Sequence, residues 1–233
     1  MLVKTRGIVI NYIKFKEQSI IVKIYTENLG LQSYIVNSVR SAKARQKMAL
    51  FQPLTLLDLV VYHRKDRKQL NRISEVKCRV PYQSIPFDYH KISVSLFISE
   101  VLAKALMEEE ANTSLFHFLE KALGFFDQAG DQSANFHLYF LVKLSPYLGF
   151  GPSSGRDLLA QLQENLPPGG GMDVWDDQLP VLDQLIREDF STSLKMNSRQ
   201  RSEVIDLLLD YYRCHLDNFD RLRSLEILRE LNR

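Results

Sequence analysis

The chain has 233 residues, 45% of them hydrophobic, and a formal net charge of +2. That suffices for one large domain or two small ones with a sizeable core. No run approaches the ~20 apolar residues of a membrane helix, so no membrane partner is expected. Two distant cysteines, Cys78 and Cys214, exclude a disulfide framework or a four-cysteine zinc site within the chain. Lys4 and Arg6 lead into an alternating pattern rather than the apolar stretch of a signal peptide, and the expected setting is the reducing cytoplasm. The charge is unevenly placed. Residues 1–80 carry 16 Lys and Arg against 5 Asp and Glu, while residues 81–233 carry 14 against 23. Such asymmetry suggests two modules, the basic one a candidate nucleic-acid binder. The alternative is that the basic module docks on the acidic one and the charge is internal.

The chain opens on strands. "TRGIVINYI" and "QSIIVKIYT" are β-branched runs, "NLG" (28–30) has turn chemistry, and "LQSYIVN" resumes extended character. "LTLLDLVVYH" and "LNRISEVKCRV" supply two more strands, joined by the charged tip "RKDRKQ". Five short strands in about 80 residues, with a long third connection, fit a small closed barrel of the OB type. That connection holds Arg40, Lys43, Arg45 and Lys47 within eight residues and no acid. Pro81 and Pro86 then mark a boundary, giving a barrel over 1–80 and a helical domain over 81–233, an α+β chain overall.

Past the boundary the period is helical. "YHKISVSLFISEVLAKALMEEE" places Ile92, Leu96, Val101, Leu102, Ala105 and Leu106 near a 3.6 repeat. "TSLFHFLEKALGFFDQA" follows, with Thr113 or Ser114 as N-cap, then "NFHLYFLVKLSPYLGF", broken near Pro146 and ended by Gly149 and Gly151. "GRDLLAQLQENL", "LPVLDQLIRED", "SRQRSEVIDLLLDYYRCHL" (N-cap Ser198) and "RLRSLEILRELN" read as further helices, and "PPGGGMDVWDDQLP" reads as a loop.

Motifs of catalysis are missing. There is no phosphate loop, dinucleotide fingerprint, nucleophile elbow or HExxH pair. Glu108–Glu110 and Asp176–Asp177 read as solvated carboxylates, and the five histidines are scattered singly. A non-enzyme without cofactor or metal is expected. The barrel offers more. An OB groove binds single strands by basic side chains and aromatic platforms. Tyr12, Phe15, Tyr25 and Tyr34 are the aromatics on its first three strands, with one or two expected to face outward, and Lys14, Lys16 and Lys23 sit among them. The loop Arg40, Lys43, Arg45, Lys47 and the tip Arg64, Lys65, Arg67, Lys68 are the expected phosphate contacts, because these need only charge and reach.

The "GIVI" strand, Glu17–x–Ser19, the "YTENLG" turn, the "VRS" loop and "FQPLTLLDL", with "LGF" at 148–150, "NSRQRSEVIDLLLDYYRCHL" and "LRSLEIL" near the far end, resemble the RecO family of bacterial recombination mediators in order and over nearly the whole chain. The resemblance implies an OB domain followed by an all-helical domain. It implies binding of single- and double-stranded DNA, annealing of complementary strands, and work with RecR and single-strand DNA-binding protein so that RecA is loaded. It carries the DNA-contacting role onto Arg40, Lys43 and Arg45, with Lys4, Arg6, Lys14 and Lys16 as neighbours on the same domain. Many members hold a four-cysteine zinc finger where this chain, at 149–179, has no cysteine. No zinc is expected, with packing, by Trp175 for instance, bracing that region instead. The acidic tail of single-strand DNA-binding protein would need a cation on the helical domain, and Arg199, Arg201, Arg221 and Arg223 are the candidates. Two rival readings are a sequence-specific nucleic-acid-binding regulator and a non-catalytic interaction scaffold. The first would want a recognition helix, whereas the basic residues fall on strands and loops.

Overall fold

The computed structural model describes every residue except 38, 40–43, 64–69, 107–109, 166–175 and 232–233. Five strands, β1 (Leu2–Phe15), β2 (Ser19–Thr26), β3 (Gly30–Val36), β4 (Leu56–Tyr62) and β5 (Asn71–Cys78), close into a barrel in the order β1-β2-β3-β5-β4. The expected OB barrel is present. β1 makes closure feasible because it is long enough to serve two neighbours. Its first half runs antiparallel to β4, from Leu2 opposite Tyr62 to Ile8 opposite Leu56. Its second half pairs with β2, from Gly7 opposite Thr26 to Phe15 opposite Ser19. An irregularity between Val9 and Asn11 re-aims the strand where it leaves one partner for the other. The last seam is a short parallel pairing, Tyr34 with Asn71 and Ile35 with Arg72.

Alternation along β1 splits two cores. Val9 points into the barrel with Ile20, Val22, Ile24, Tyr34 and Leu59. Ile8 and Ile10 point outward, and with Tyr25, Leu54 and Leu56 they join the core of the helical domain. The barrel and the helices therefore share one apolar cluster. A six-residue helix, α1 (Ala44–Ala49), lies between β3 and β4, and Phe51 just after it is fully buried in the barrel cluster. The sequence reading took this stretch as loop. Helix propensity has little grip on so short a segment.

Seven further α-helices follow among the described residues: α2 (Tyr89–Ala105), α3 (Thr113–Gln128), α4 (Phe136–Leu144), α5 (Gly155–Glu164), α6 (Leu179–Arg187), α7 (Ser198–His215) and α8 (Ser224–Leu231). None is long and apolar enough to cross a membrane among the described residues. α2 stops at Ala105, short of Glu110, and is buried on more than one side. Val94, Phe97 and Ile98 carry its packing, whereas Leu96 is exposed and Ile92 half-buried. Val101, Leu102, Ala105 and Leu106 are buried as the periodicity predicts, but a helix enclosed by a barrel and by α8 is buried over a wider face than that single stripe. The caps also fall one or two residues earlier than expected. Asn112 accepts from the Leu115 N–H, and Asn197 forms a capping box with Gln200. The break after α4 is as expected, with a 3-10 turn at Ser145–Leu148 and Gly149 at φ 91°.

One carboxylate fixes the connection between the two units. Asp127, near the end of α3, accepts from the backbone N–H groups of Gln83 (2.8 Å), Ser84 (2.9 Å) and Ile85 (3.0 Å). Lys91, buried on α2, donates to Ser84 Oγ at 2.6 Å and to the Asp127 carbonyl at 3.0 Å. Burial alone would raise the Asp127 pKa, yet these donors hold it below the ordinary 3.8. Its folded pKa is depressed, so its stabilisation is present above that ordinary value and is lost as pH falls through the folded one.

Asp127→Ala is expected to lower stability at neutral pH by about 2–3 kcal/mol, the scale for removing a charged acceptor from buried N–H groups. The gap from the parent should shrink in urea melts below pH 3.8. Gly7 admits no side chain, because a Cβ there would meet Ile24 Cγ2 at 2.6 Å and Leu59 Cδ1 at 2.7 Å. Gly7→Ala should cost about 1–3 kcal/mol by overpacking, read as a lower thermal midpoint.

Candidate nucleic-acid interface

The helices cover the barrel wall that carries Ile8, Ile10, Tyr25 and Leu56. Among the described residues, Ile13, Ile21 and Ile35 on another wall belong to neither core, and register builds a row across it. Ile13 on β1 faces Ile21 on β2, Ile21 faces Ile35 on β3, and Ile35 faces Arg72 on β5. Ile13 is 60% exposed, Ile21 and Ile35 are half-buried, and Arg72 is exposed. Lys23 forms the next row with Asn11 and Ser33.

Basic side chains ring this wall. Lys14 and Lys16 are exposed at the β1–β2 hairpin. Lys16 sits in left-handed backbone at φ 53°, with its Nζ 5.5 Å from the Phe15 ring centroid. Lys47, in the last turn of α1, donates to the Asn37 carbonyl at 3.2 Å. Lys47 and Arg72 meet at a pocket of about 200 Å³, also lined by Asn37 and Ser74, where the brief β3–β5 seam opens. The root of the basic loop is tied to the hairpin. Ser19 Oγ donates to Asn37 Oδ1 at 2.9 Å, the Val39 N–H donates to the Gln18 carbonyl at 3.0 Å, and Val39 itself is buried. The loop therefore leaves the barrel beside Lys14 and Lys16.

Not every expected cation stands here. Lys4 is exposed on the β1–β4 wall, in register with Val60 and through it with Glu75. The Arg45 backbone belongs to α1. Arg40, Lys43, Arg64, Lys65, Arg67 and Lys68 lie outside the described residues, as do Trp175, Glu108 and Glu109.

Arg6 requires a correction. Its Nε donates to Glu27 Oε2 at 2.7 Å, its Nη2 to Glu27 Oε1, and its Nη1 to Glu120 Oε2 on α3 at 2.7 Å. The guanidinium also lies 5.2 Å from the Phe116 ring centroid. Hydrogen bonding from Arg6 holds the Glu27 carboxyl below its ordinary range. Arg79 adds a second arm, donating to Glu120 Oε1 at 3.0 Å and to Asp58 at 3.2 Å. These two barrel arginines dock on the helical domain, and that part of the positive charge is internal. A guanidinium filled by two carboxylates has few donors left for phosphate, so Arg6 belongs to the joint.

The aromatic expectation also fails. Tyr34 is wholly buried in the barrel cluster, Tyr25 stacks on Phe116 at 6.4 Å between centroids, and Tyr12 and Phe15 are half-buried. The wall with Ile13, Ile21 and Ile35 offers isoleucines in place of rings. Sequence reasoning left Arg72 out of the site. Strict alternation in "NRISEVKC" would not have found it, because an irregularity opposite Val60 and Val61 leaves Ser74 unpaired, so that both Ile73 and Val76 pack on the barrel cluster while Arg72 and Ser74 are exposed. Among the described residues, no group of three His, Cys, Asp or Glu side chains could hold a metal ion.

A closed five-stranded barrel of the OB type, joined through a shared core to an all-helical domain and basic on its uncovered wall, defines the class of protein. The family pattern Recombination protein O N terminal matches residues 1–82, and Recombination protein O C terminal matches residues 86–226. Proteins named DNA repair protein RecO from Flavobacterium psychrophilum, Flavobacterium johnsoniae and Bacteroides fragilis are 39%, 38% and 37% identical, each match covering 99% of both chains. The chain belongs to the Recombination protein O (RecO) family of DNA repair proteins.

Removing the Arg6 cation leaves Glu27 without its guanidinium in a half-buried joint and leaves Glu120 with Arg79 alone. Arg6→Gln should lower stability by about 1–2 kcal/mol, between the values for exposed and buried ion pairs. Equilibrium urea unfolding measures it, and an unchanged midpoint would remove Arg6 from the joint.

Proposed function

We propose that the protein is a recombinational repair mediator that holds DNA on the uncovered barrel wall and brings complementary strands together. The observation that carries this reading is the continuity of positive charge there. Lys47 on α1 and Arg72 on β5 line one pocket, and Lys14 and Lys16 on the hairpin and Lys23 on β2 are exposed near the row that runs through Ile13 and Ile21. The loop with Arg40, Lys43 and Arg45 is rooted beside them. Arg64, Lys65, Arg67 and Lys68, in the sequence between β4 and β5, are proposed as further phosphate contacts. Lys4, on the other wall, is a peripheral contact. Two strands coated in phosphate repel each other. A cationic wall that holds one strand lowers the repulsion felt by the second, and base pairing then supplies specificity. No bond is made or broken in this process, so the protein acts without catalysis, cofactor or metal. The isoleucine row suits sequence-tolerant contact with bases, because apolar contact discriminates little among them.

Single- and double-stranded DNA in the cytoplasm, at the nucleoid, are the proposed ligands. Membership of the family supports RecR and the tail of single-strand DNA-binding protein as partners, and RecA as the protein that is loaded in consequence. The tail belongs on the acidic helical domain. Of the four arginines considered for it, Arg199 and Arg221 are paired with Glu203 and Glu226, while Arg223 is exposed.

The test is a salt titration of binding to short single strands, with an annealing assay, on the parent and on the triple variant Arg40→Ala, Lys43→Ala, Arg45→Ala. The slope of log K against log salt should fall by about 2–3 for three lost contacts at ~0.7–0.9 each. Annealing should slow, and the thermal midpoint should stay where it was. Full annealing by the folded triple variant would remove the loop from the mechanism, and binding that ignores salt would remove the cationic wall.

A further inference from the structure

The helical domain holds a second pocket, of about 190 Å³, that the DNA reading does not use. The first turns of α7 line it with Ser198, Arg201 and Ser202, α8 lines it with Arg229, and α4 lines it with His137. Three of these groups lack an acceptor or a countercharge. His137 is 1% exposed, and its Nδ1 has no hydrogen-bond partner. Burial, with Arg201 nearby, pushes its pKa down to about 3, so the ring is neutral and one of its nitrogens carries a proton to donate. Arg229 gives Nη2 to Asp206, which orients the guanidinium and leaves its buried Nε without an acceptor. Arg201 is half-buried, yet its partners are neutral: Nε donates to Asn135 Oδ1 at 2.9 Å and Nη2 to the Met196 carbonyl at 3.3 Å. Among the described residues it meets no carboxylate. A half-buried cation without an anion and buried donors without acceptors are costly arrangements. The 18-residue α7 also turns its positive end toward this place.

We infer that this pocket binds a single phosphate-type oxyanion. The donors come from three helices and outnumber the two oxygens of a carboxylate, whereas a phosphate presents up to four. The volume suits one tetrahedral anion. The ligand is either free phosphate or the terminal phosphate of a DNA strand.

Inorganic phosphate is titrated into the full chain at constant ionic strength against chloride, with the thermal midpoint and the phosphorus-31 linewidth as readouts. A saturable rise in midpoint is expected, and acetate should give none. Arg201→Gln should weaken phosphate binding about tenfold, as the loss of one charge-assisted hydrogen bond would. Arg229→Gln should do the same and carries the test if Arg201→Gln does not fold. Arg199→Gln, at an exposed position on the same helix end that does not line the pocket, should bind as the parent does. A 5′-phosphorylated short strand that displaces phosphate better than its 5′-hydroxyl counterpart assigns the ligand to strand ends, and equal displacement assigns it to free phosphate. The inference is overturned by a flat titration, by an equal response to acetate, or by undiminished binding in the folded variants.

Discussion

The structure depends on one constraint, the double service of β1. A single strand closes the barrel on both sides and also forms part of the wall on which the helices pack. Its pleat makes this feasible, because successive residues face opposite sides. Val9 belongs to the barrel interior, and Ile8 and Ile10 belong to the helical core. Gly7 lies where β1 passes from one partner to the other, and the side chains of Ile24 and Leu59 fill the space a Cβ would need. The proposed DNA surface follows from which wall this arrangement covers. The wall against the helices is spent on packing, so the charge available to a ligand must lie on the other.

The joint between the units separates two uses of positive charge. Arg6 and Arg79 converge on Glu120 from the barrel side, and Asp127 collects the backbone of the connecting segment from the helical side. These are short-range, geometrically saturated contacts in which each donor has a named acceptor. Lys14, Lys16, Lys23 and Arg72 differ in kind, because they stand exposed and form no ion pair with a carboxylate among the described residues. Charge of the first sort stabilises a fold. Charge of the second sort is available to a polyanion.

The fold was legible because its signals were strong and local. Five β-branched runs, a glycine turn and a switch to helical period after Pro81 gave the barrel and the helical domain in order. α1 escaped because six residues carry too little periodicity, and the α2 stripe caught Val101, Leu102, Ala105 and Leu106 but missed Val94, Phe97 and Ile98 because burial around the circumference blurs it. The cations of the candidate site were read from charge alone. Counting cations placed Arg6 with the others, and only geometry shows that its donors are taken by Glu27 and Glu120. Arg72 was overlooked because a single arginine in a strand has no cluster to announce it. Tyr25 and Tyr34 looked like platforms because sequence alone cannot tell which face of a small barrel is inside.

The shared apolar cluster has a consequence for how such a chain can be divided. The two family patterns meet between residues 82 and 86, where a gene could be cut most naturally. Cutting there would strip cover from Ile8, Ile10, Tyr25, Leu54 and Leu56 on one fragment and from Phe97, Ile98 and Phe116 on the other. Neither piece is portable. A boundary visible in comparisons of sequences is here no seam in the folded object, and substitutions on its two sides must be accepted as a set.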